Sequence, residues 1–155
     1  RIEVTGLKNA NALATSIHID AIEILNNPSS TPTTLEETDK TFKYSGLWTV
    51  QNDAQNSAGS AKYSNVTGSY VEFSFTGTGF KWIGQASAYK GIAKVTIDGV
   101  SQNVDTYAPT LEYKKVFLEK TNLPYGTHTV RIEVTGLKNA NALATSIHID
   151  AFEIF

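Results

Sequence analysis

The sequence contains no cysteine and no methionine among its 155 residues. Without cysteine the chain has no disulfide, no thiolate nucleophile and no Cys-ligated zinc or iron–sulfur site. The lack of methionine leads us to expect a mature or excised piece of a longer protein. Charged residues make up 18% of the chain, against about 25% in the average soluble protein. The formal net charge is -2 and no block of basic residues occurs, so nothing indicates nucleic acid as a partner.

Long apolar runs are also missing. A transmembrane helix needs about 20 consecutive apolar residues, whereas the apolar stretches here are short and alternate with polar residues. We therefore expect no membrane insertion. Hydrophobic residues still form 41% of the sequence, which is enough for a core. A cysteine-free, low-charge composition rich in Thr, Ser, Asn and Gly is common in bacterial secreted and cell-surface proteins, so we predict an extracellular location.

The most informative feature that is present is an internal repeat. Residues 1–25 and residues 131–155 differ at only two positions, and both differences keep an apolar side chain. Self-similarity at a fixed spacing is typical of tandem arrays. We therefore predict that residues 1–25 are the C-terminal strands of a preceding repeat, or strands that exchange, and that further copies flank this piece.

A polar, proline-containing stretch follows the first copy of the repeat. Residues 26–40 hold Pro28 and Pro32 among Ser, Thr and Asn, and this composition is typical of an extended, solvated linker. We therefore predict a linker over residues 26–40 and one complete repeat unit over residues 41–155.

Apolar and polar residues alternate within the complete unit. Val71, Phe73 and Phe75 are separated by Glu72 and Ser74, which predicts a half-buried strand. Further strands are predicted at 80–84, 93–97, 102–107, 113–118, 129–135 and 146–155. Many short strands with turns between them predict an all-β fold, a two-sheet antiparallel β-sandwich.

Local signals add detail to this prediction. Asp98 and Gly99 form a dipeptide that favours a two-residue hairpin turn. Trp82 shares a strand face with Phe80 and is predicted to lie in the core. Residues 138–144 are the one place where we predict a helical turn.

Several motifs follow one another in the complete unit. They are ETD (37–39), YSGLW (44–48), FSFTGTGFKWIG (73–84), VTIDG (95–99), LPYGTHT (123–129) and IHIDAFE (147–153). Their order resembles that of the galactose-binding-like jelly rolls that bacteria append to secreted glycosidases, polysaccharide lyases and surface proteins. The resemblance covers residues 41–155 and implies a jelly roll with a carbohydrate-binding or adhesive role, although a fold alone does not decide a function.

Catalytic arrangements are not recognisable. His148 lies between Ile147 and Ile149 and is predicted on the polar face of a strand. Ser146, His148 and Asp150 would line one strand face with about 6.5–7 Å between successive Cα atoms, which is too far for a catalytic triad. No G-x-S-x-G motif occurs, and the acidic residues are spread over the linker, turns and solvent faces. We therefore expect no enzymatic activity.

A structural calcium ion is implied by the resemblance, because jelly-roll binding modules often hold one with a carboxylate from the last strand. Asp150 and its copy Asp20 match that position, and Asp39 joins Asp150 if the two ends of the unit lie together. Calcium binds six to eight oxygen ligands. The alternative is that Asp150 is a hydrogen-bonded carboxylate that ties the ends of the sandwich.

Aromatic side chains are the natural partners of sugar rings, whose C–H faces stack on them. The loop 85–91 presents Tyr89 as the best exposed platform. The predicted ligand-binding residues are Tyr89, Lys90, Asp105 and Tyr107, assisted by Trp48. We therefore predict a non-catalytic extracellular module that binds a glycan or another surface polymer.

The repeat supports an alternative function. Two near-identical segments compete for one place in the sandwich, and an unpaired set of apolar strands recruits partners. Residues 1–25 of one chain could complete a neighbouring sandwich by donor-strand addition. Such a head-to-tail exchange closes into a ring or continues as a fibre. The alternative prediction is a structural repeat that associates with itself.

Overall fold

The computed structural model describes Ala10 and residues 31–155. In this part of the chain the backbone forms twelve strands, one 3-10 turn at Ser57–Gly59 and no α-helix. The strands are β1 (Thr33–Glu36), β2 (Lys43–Ser45), β3 (Thr49–Asn52), β4 (Ser60–Ser64), β5 (Tyr70–Gly77), β6 (Phe80–Ala86), β7 (Ile92–Ile97), β8 (Val100–Asp105), β9 (Glu112–Lys120), β10 (Gly126–Leu137), β11 (Ile147–Ile149) and β12 (Ala151–Ile154). No helix among these residues is long and apolar enough to cross a membrane.

The strands form three antiparallel sheets. One sheet has the order β2-β5-β10-β7-β8, the second β1-β12-β6-β9, and the third β11-β4-β3. Asp150 alone separates β11 from β12, so the third sheet continues along the chain from the second. The predicted all-β sandwich is therefore confirmed.

The core lies between the five-stranded sheet and the other two. On β5 the side chains of Val71, Phe73 and Phe75 are buried while the residues between them are exposed. The ring of Phe73 lies 4.6 Å from that of Phe152 on β12 and 6.3 Å from that of Phe80 on β6, measured between centroids. Burial of each such side chain contributes about 1.5–3 kcal/mol, so period-two alternation is what holds the layers together.

The hairpin between β7 and β8 has the predicted turn. Asp98 and Gly99 have φ angles of 48° and 83°, and two successive residues with positive φ are what a type I′ turn requires. Ile97 then pairs with Val100, so β8 begins two residues earlier than the predicted stretch 102–107. Trp82 is fully buried, as predicted.

The sandwich begins within the stretch predicted as a linker. Residues Thr33–Glu36 form β1, which pairs antiparallel with β12 at one edge of the second sheet. The polar sequence of residues 26–40 conceals this strand, because a short edge strand can be polar on its exposed face. The predicted helical turn at 138–144 is an irregular turn instead. Residues 1–25, except Ala10, lie outside the described part.

Candidate functional site

A cleft of about 400 Å³ opens at one end of the sandwich. Three parts of the chain line it: β3, the end of β6 with the loop that follows it, and the stretch that leads into β9 with the start of that strand. The lining residues are Gln51, Gln85, Ser87, Ala88, Tyr89, Lys90, Pro109, Leu111 and Tyr113. The cleft therefore brings together two phenol rings, two side-chain amides and one ammonium group.

The loop that carries Tyr89 and Lys90 is held by its backbone. The Lys90 N–H donates to the Ser87 carbonyl at 3.2 Å, and the Gly91 N–H donates to the Ser146 carbonyl at 3.0 Å. A Cβ at Gly91 would lie 2.6 Å from the Thr145 carbonyl oxygen, so glycine permits this close approach. These contacts pin the loop against the segment before β11.

The two tyrosines of the cleft differ in exposure. Tyr89 is 61% exposed, and its role as a platform for a sugar ring stays a prediction. Tyr113 is partly buried, and its hydroxyl donates a hydrogen bond of 2.6 Å to Asp53 Oδ2. This hydrogen bond raises the pKa of Tyr113 and lowers the pKa of Asp53. It also fixes the orientation of the Tyr113 ring on the cleft wall.

The Lys90 side chain is 5% exposed. No hydrogen bond or ion pair joins its ammonium group to another described residue, and its nitrogen keeps some contact with the cleft, since it is not among the fully buried atoms without a partner. Burial lowers its pKa to about 8. His148 lies close enough for the Lys90 charge to help lower the histidine pKa, although burial is the larger cause. The cleft therefore carries a buried, unneutralised cation in its wall.

His148 corrects one prediction. It was expected on a polar strand face, but it is fully buried, as are both of its neighbours on β11. The strand is covered on both sides, since His148 Nδ1 accepts a hydrogen bond of 3.2 Å from the Gln85 N–H of β6. The prediction failed because alternation indicates a solvent face only where one side of the strand is open.

Asp105 and Tyr107 lie next to the cleft but not in its lining. Tyr107 forms a bridge with Ser87, which places it beside the cleft loop. The Tyr107 N–H donates to Asp105 Oδ1 at 3.0 Å, and the other carboxylate oxygen accepts a hydrogen bond of 2.7 Å from Asn139. Both of their roles in ligand binding stay predictions.

Trp48 lies away from the cleft lining. Its ring packs against Tyr44 at a centroid distance of 5.2 Å, and its Nε1–H donates to the Ser45 carbonyl at 3.0 Å. Sequence reasoning missed Gln51 and Tyr113 as cleft residues. Gln51 does follow Trp48 in a polar stretch, but no local signal joins either of the missed residues to Tyr89.

Acidic side chains gather where β1 meets β12. Ser57 links two of them, because its N–H donates to Asp150 Oδ1 and its hydroxyl to Glu36 Oε1, both at 2.9 Å. Ser60 donates to Glu37 Oε1 at 2.5 Å, and the Glu37 N–H donates to the Asp150 carbonyl at 3.0 Å. The carboxylates therefore converge around the 3-10 turn.

Oxygen atoms in this cluster lack partners. Glu36 Oε2, Glu37 Oε2, Asp150 Oδ2 and Asn56 Oδ1 are all buried without a hydrogen bond. Burial, with the nearby glutamates as smaller causes, raises the pKa of Asp150 to about 6. Orphaned buried oxygens of carboxylate and amide type suit a calcium ion.

The carboxylates at this junction are not sufficient by themselves for the predicted calcium site. In the described residues no group of three or more His, Cys, Asp or Glu side chains could hold a metal ion on its own, so an ion would also need Asn56 or backbone carbonyls. Asp39, the other predicted ligand, accepts hydrogen bonds of 2.8 Å from the N–H and the hydroxyl of Thr41 with its Oδ1. Its part in a calcium site stays a prediction.

The chain is similar in sequence to two carbohydrate-active proteins. No family model matches the sequence. The chain is 35% identical over 99 residues to the A type blood N-acetyl-alpha-D-galactosamine deacetylase of Flavonifractor plautii, covering 63% of this chain. It is 31% identical over 144 residues to the A type blood alpha-D-galactosamine galactosaminidase of the same organism, covering 85% of this chain. The matched part is 13% of each of these two relatives.

A solved structure defines the fold. The family 35 carbohydrate-binding module of Clostridium thermocellum superposes with a TM-score of 0.54 at 16% sequence identity, over 79% of this chain and 98% of the module. The chain therefore has the galactose-binding-like jelly-roll fold of carbohydrate-binding modules, as its motifs predicted.

These comparisons contradict the prediction of no enzymatic activity, because both curated relatives are named as enzymes. The prediction was based on the lack of catalytic motifs within these 155 residues. That length corresponds to a small part of the relatives, so the absence of a motif here was a weak basis for excluding an enzyme.

Proposed function

We propose that this chain is a glycan-binding domain of a carbohydrate-active enzyme that works outside the cell. The observation that carries the proposal is the cleft, in which the exposed ring of Tyr89 stands beside Tyr113 and the amides of Gln51 and Gln85. The fold of a carbohydrate-binding module and the two relatives that are named as enzymes acting on blood-group sugars support it. The low-charge, cysteine-free composition supports the extracellular location.

The chemistry of the cleft suits a sugar. A sugar ring has an apolar C–H face that packs on an aromatic ring, while amide groups donate to and accept from its hydroxyls. The volume of about 400 Å³ lies in the range of small-molecule sites. Tyr113 is held by its bond to Asp53, so part of the cleft wall is organised before a ligand arrives, which lowers the entropic cost of binding.

A structural calcium ion is part of the proposal. Asp150 and one of the two glutamates, Glu36 or Glu37, would hold it together with Asn56 Oδ1 and backbone carbonyls, since three carboxylates do not come together around one position. The ion would neutralise carboxylates that converge where β1, the 3-10 turn and β12 meet. This role is structural, because none of these four residues lines the cleft.

The cleft assignment is tested by truncating the exposed platform. We expect Tyr89→Ala to weaken glycan binding about tenfold, since loss of one stacked aromatic costs on the order of 1–2 kcal/mol. Calorimetry with the full chain would use blood-group A trisaccharide, galactan and xanthan as probes. Tyr125→Ala is the matched control, because Tyr125 is 59% exposed and outside the cleft. Equal binding by the Tyr89 variant and the unaltered chain, or no binding of any probe, would contradict the proposal.

A second candidate function rests on the duplicated segment. Residues 131–155 supply the end of β10 and all of β11 and β12, whose side chains Ile132, Val134, Ile147 and Phe152 are fully buried. Residues 1–25 carry the same apolar pattern with two substitutions. Either copy can therefore satisfy this place in a sandwich, which supports a tandem-repeat protein whose units associate by strand exchange.

A further inference from the structure

We propose that the cleft recognises a negatively charged substituent of its glycan, a carboxylate or a sulfate ester, through the ammonium group of Lys90. This inference rests on the proposed function and specifies the ligand of the same cleft. It starts from a charge that the described protein leaves unpaired.

The unpaired state of Lys90 is unusual. Lysine is almost never fully buried without a partner, because removing an ammonium group from water is costly. Lys81 shows the ordinary arrangement: its side chain is 25% exposed and still lies 3.4 Å from Glu153 and 3.8 Å from Glu119. Lys90 is far more buried, and no described residue neutralises it. Within the part of the chain that the structure describes, the ammonium group has no counter-charge, and a ligand in the cleft could supply one.

The position of Lys90 gives a ligand access to it. Lys90 lines the cleft next to the exposed ring of Tyr89. The backbone bonds to Ser87 and Ser146 that pin the loop keep the base of the lysine side chain in place. A sugar stacked on Tyr89 would therefore carry its substituents close to the ammonium group.

The surroundings of Lys90 favour an anion. None of the nine residues that line the cleft is acidic. Asp53 does not line the cleft but contacts it indirectly, because one of its carboxylate oxygens accepts the hydrogen bond from the Tyr113 hydroxyl. Near Lys90, His148 accepts a hydrogen bond with Nδ1, so its Nε2 carries the hydrogen, and this buried donor has no partner. The lining therefore offers a cation and no acidic side chain.

The unpaired ammonium group predicts different affinities for acidic, neutral and amino sugars. A uronic acid or a sulfated sugar gains a charge-assisted hydrogen bond in a site shielded from water. A neutral sugar gains stacking and amide contacts only. A free amino sugar is cationic at neutral pH and is repelled by Lys90. We therefore expect the order acidic, neutral, amino in affinity.

The test compares matched probes on the full chain. Calorimetry would measure the affinities for trigalacturonic acid, 6-sulfated galactotriose, neutral galactotriose and galactosamine. We expect at least one acidic probe to bind about tenfold or more tightly than galactotriose. The acidic probe that does so identifies the carboxylate or the sulfate as the recognised group. Lys90→Met should remove the preference, Lys90→Arg should retain it, and Lys94→Met, which changes an exposed lysine outside the cleft, should have no effect.

A measurement without variants guards against misfolding of Lys90→Met. In the unaltered chain, added salt should weaken binding of the acidic probe and leave binding of the neutral probe unchanged, because only the former depends on charge. Equal affinity for acidic and neutral probes would overturn this inference while leaving glycan binding intact. Binding of blood-group A trisaccharide or galactan with no binding of the acidic probes would have the same meaning. If none of the sugars binds, the inference and the proposed function both fail.

Discussion

At the scale of single residues, one ion pair ties the β7–β8 turn to β10. His128 Nδ1 lies 2.6 Å from Asp98 Oδ2, and His128 Nε2 lies 2.9 Å from the Pro124 carbonyl oxygen. Both ring nitrogens face acceptors, so the doubly protonated imidazolium satisfies both contacts. The hydrogen bond to Asp98 raises the pKa of His128, while bonds from the Thr129 N–H and then His128 lower the pKa of Asp98.

These shifts predict a pH window for stability. A raised histidine pKa contributes stability that is complete below the unfolded value of 6.5 and is lost as pH rises through the folded value. A lowered aspartate pKa contributes stability that is present above 3.8 and is lost as pH falls through the folded value. The pair therefore stabilises the fold most between these two values.

His128→Gln tests this window. We expect the free energy of unfolding lost in the variant to be larger at pH 5.5 than at pH 8.5, as measured by urea denaturation. Asp98→Asn should lose the same pH dependence, and it is a suitable companion because asparagine also favours a type I′ turn. A loss that is equal at the two pH values would show that the ion pair does not contribute.

At the scale of elements, buried acidic side chains lie together where β1, the 3-10 turn and β12 meet. Glu36 and Glu37 end or follow β1, and Asp150 precedes β12. Three oxygens of these carboxylates have no partner, which makes the junction unfavourable unless a cation or protons neutralise it. The stability of this junction therefore depends on the cation or the protons that neutralise these oxygens.

Calcium should stabilise this junction. A ligand that binds only the folded state at a hundred times its Kd adds about 2.7 kcal/mol. We therefore expect the Tm to rise when calcium replaces a chelator, by scanning calorimetry, and magnesium to have less effect because it prefers a smaller octahedral site. Asp150→Asn should abolish the response, whereas Glu119→Gln, at a mostly exposed side chain, should retain it. A Tm that is the same with calcium and chelator would leave Asp150 as a hydrogen-bonded tie.

At the scale of the whole molecule, the described sandwich is completed by the second copy of the repeat. β10 pairs with β5 and β7 in the middle of the five-stranded sheet, and β12 pairs with β1 and β6. Removing these strands would expose much of the core. Residues 1–25 repeat this segment with two substitutions, and whether they can take its place in another chain is a prediction that the molar mass in solution tests.

Strand exchange between chains would increase the molar mass in solution, so the oligomeric state tests it. We expect the full chain to form dimers or larger species that dissociate on dilution, and a chain lacking residues 1–25 to be monomeric, by light scattering after size exclusion. The shortened chain retains all twelve described strands, so its folding is an internal control. If both chains are monomeric at all concentrations, the exchange hypothesis fails and the cleft carries the function.

Sequence patterns were sufficient to predict the fold class and the strands from β5 to β10, but they did not predict β1 to β4. Alternation placed Val71, Phe73 and Phe75 on one buried face, and Asp98-Gly99 determined a turn, because side-chain direction and φ preference are local properties. The order of the motifs was sufficient for the jelly-roll fold. The sequence also pointed to Tyr89 as an exposed ring.

The surroundings of those residues depend on how the strands pack in three dimensions. It brought Gln51 and Tyr113 to Tyr89 and Lys90, covered both faces of His148, and gathered carboxylates from the two ends of the sandwich. In each case the neighbours come from distant strands, and their meeting depends on sheet order and register. Alternation reports which way a side chain points but not which strand it meets, so the cleft, the buried lysine and the acidic junction appear only once the sheets are assembled.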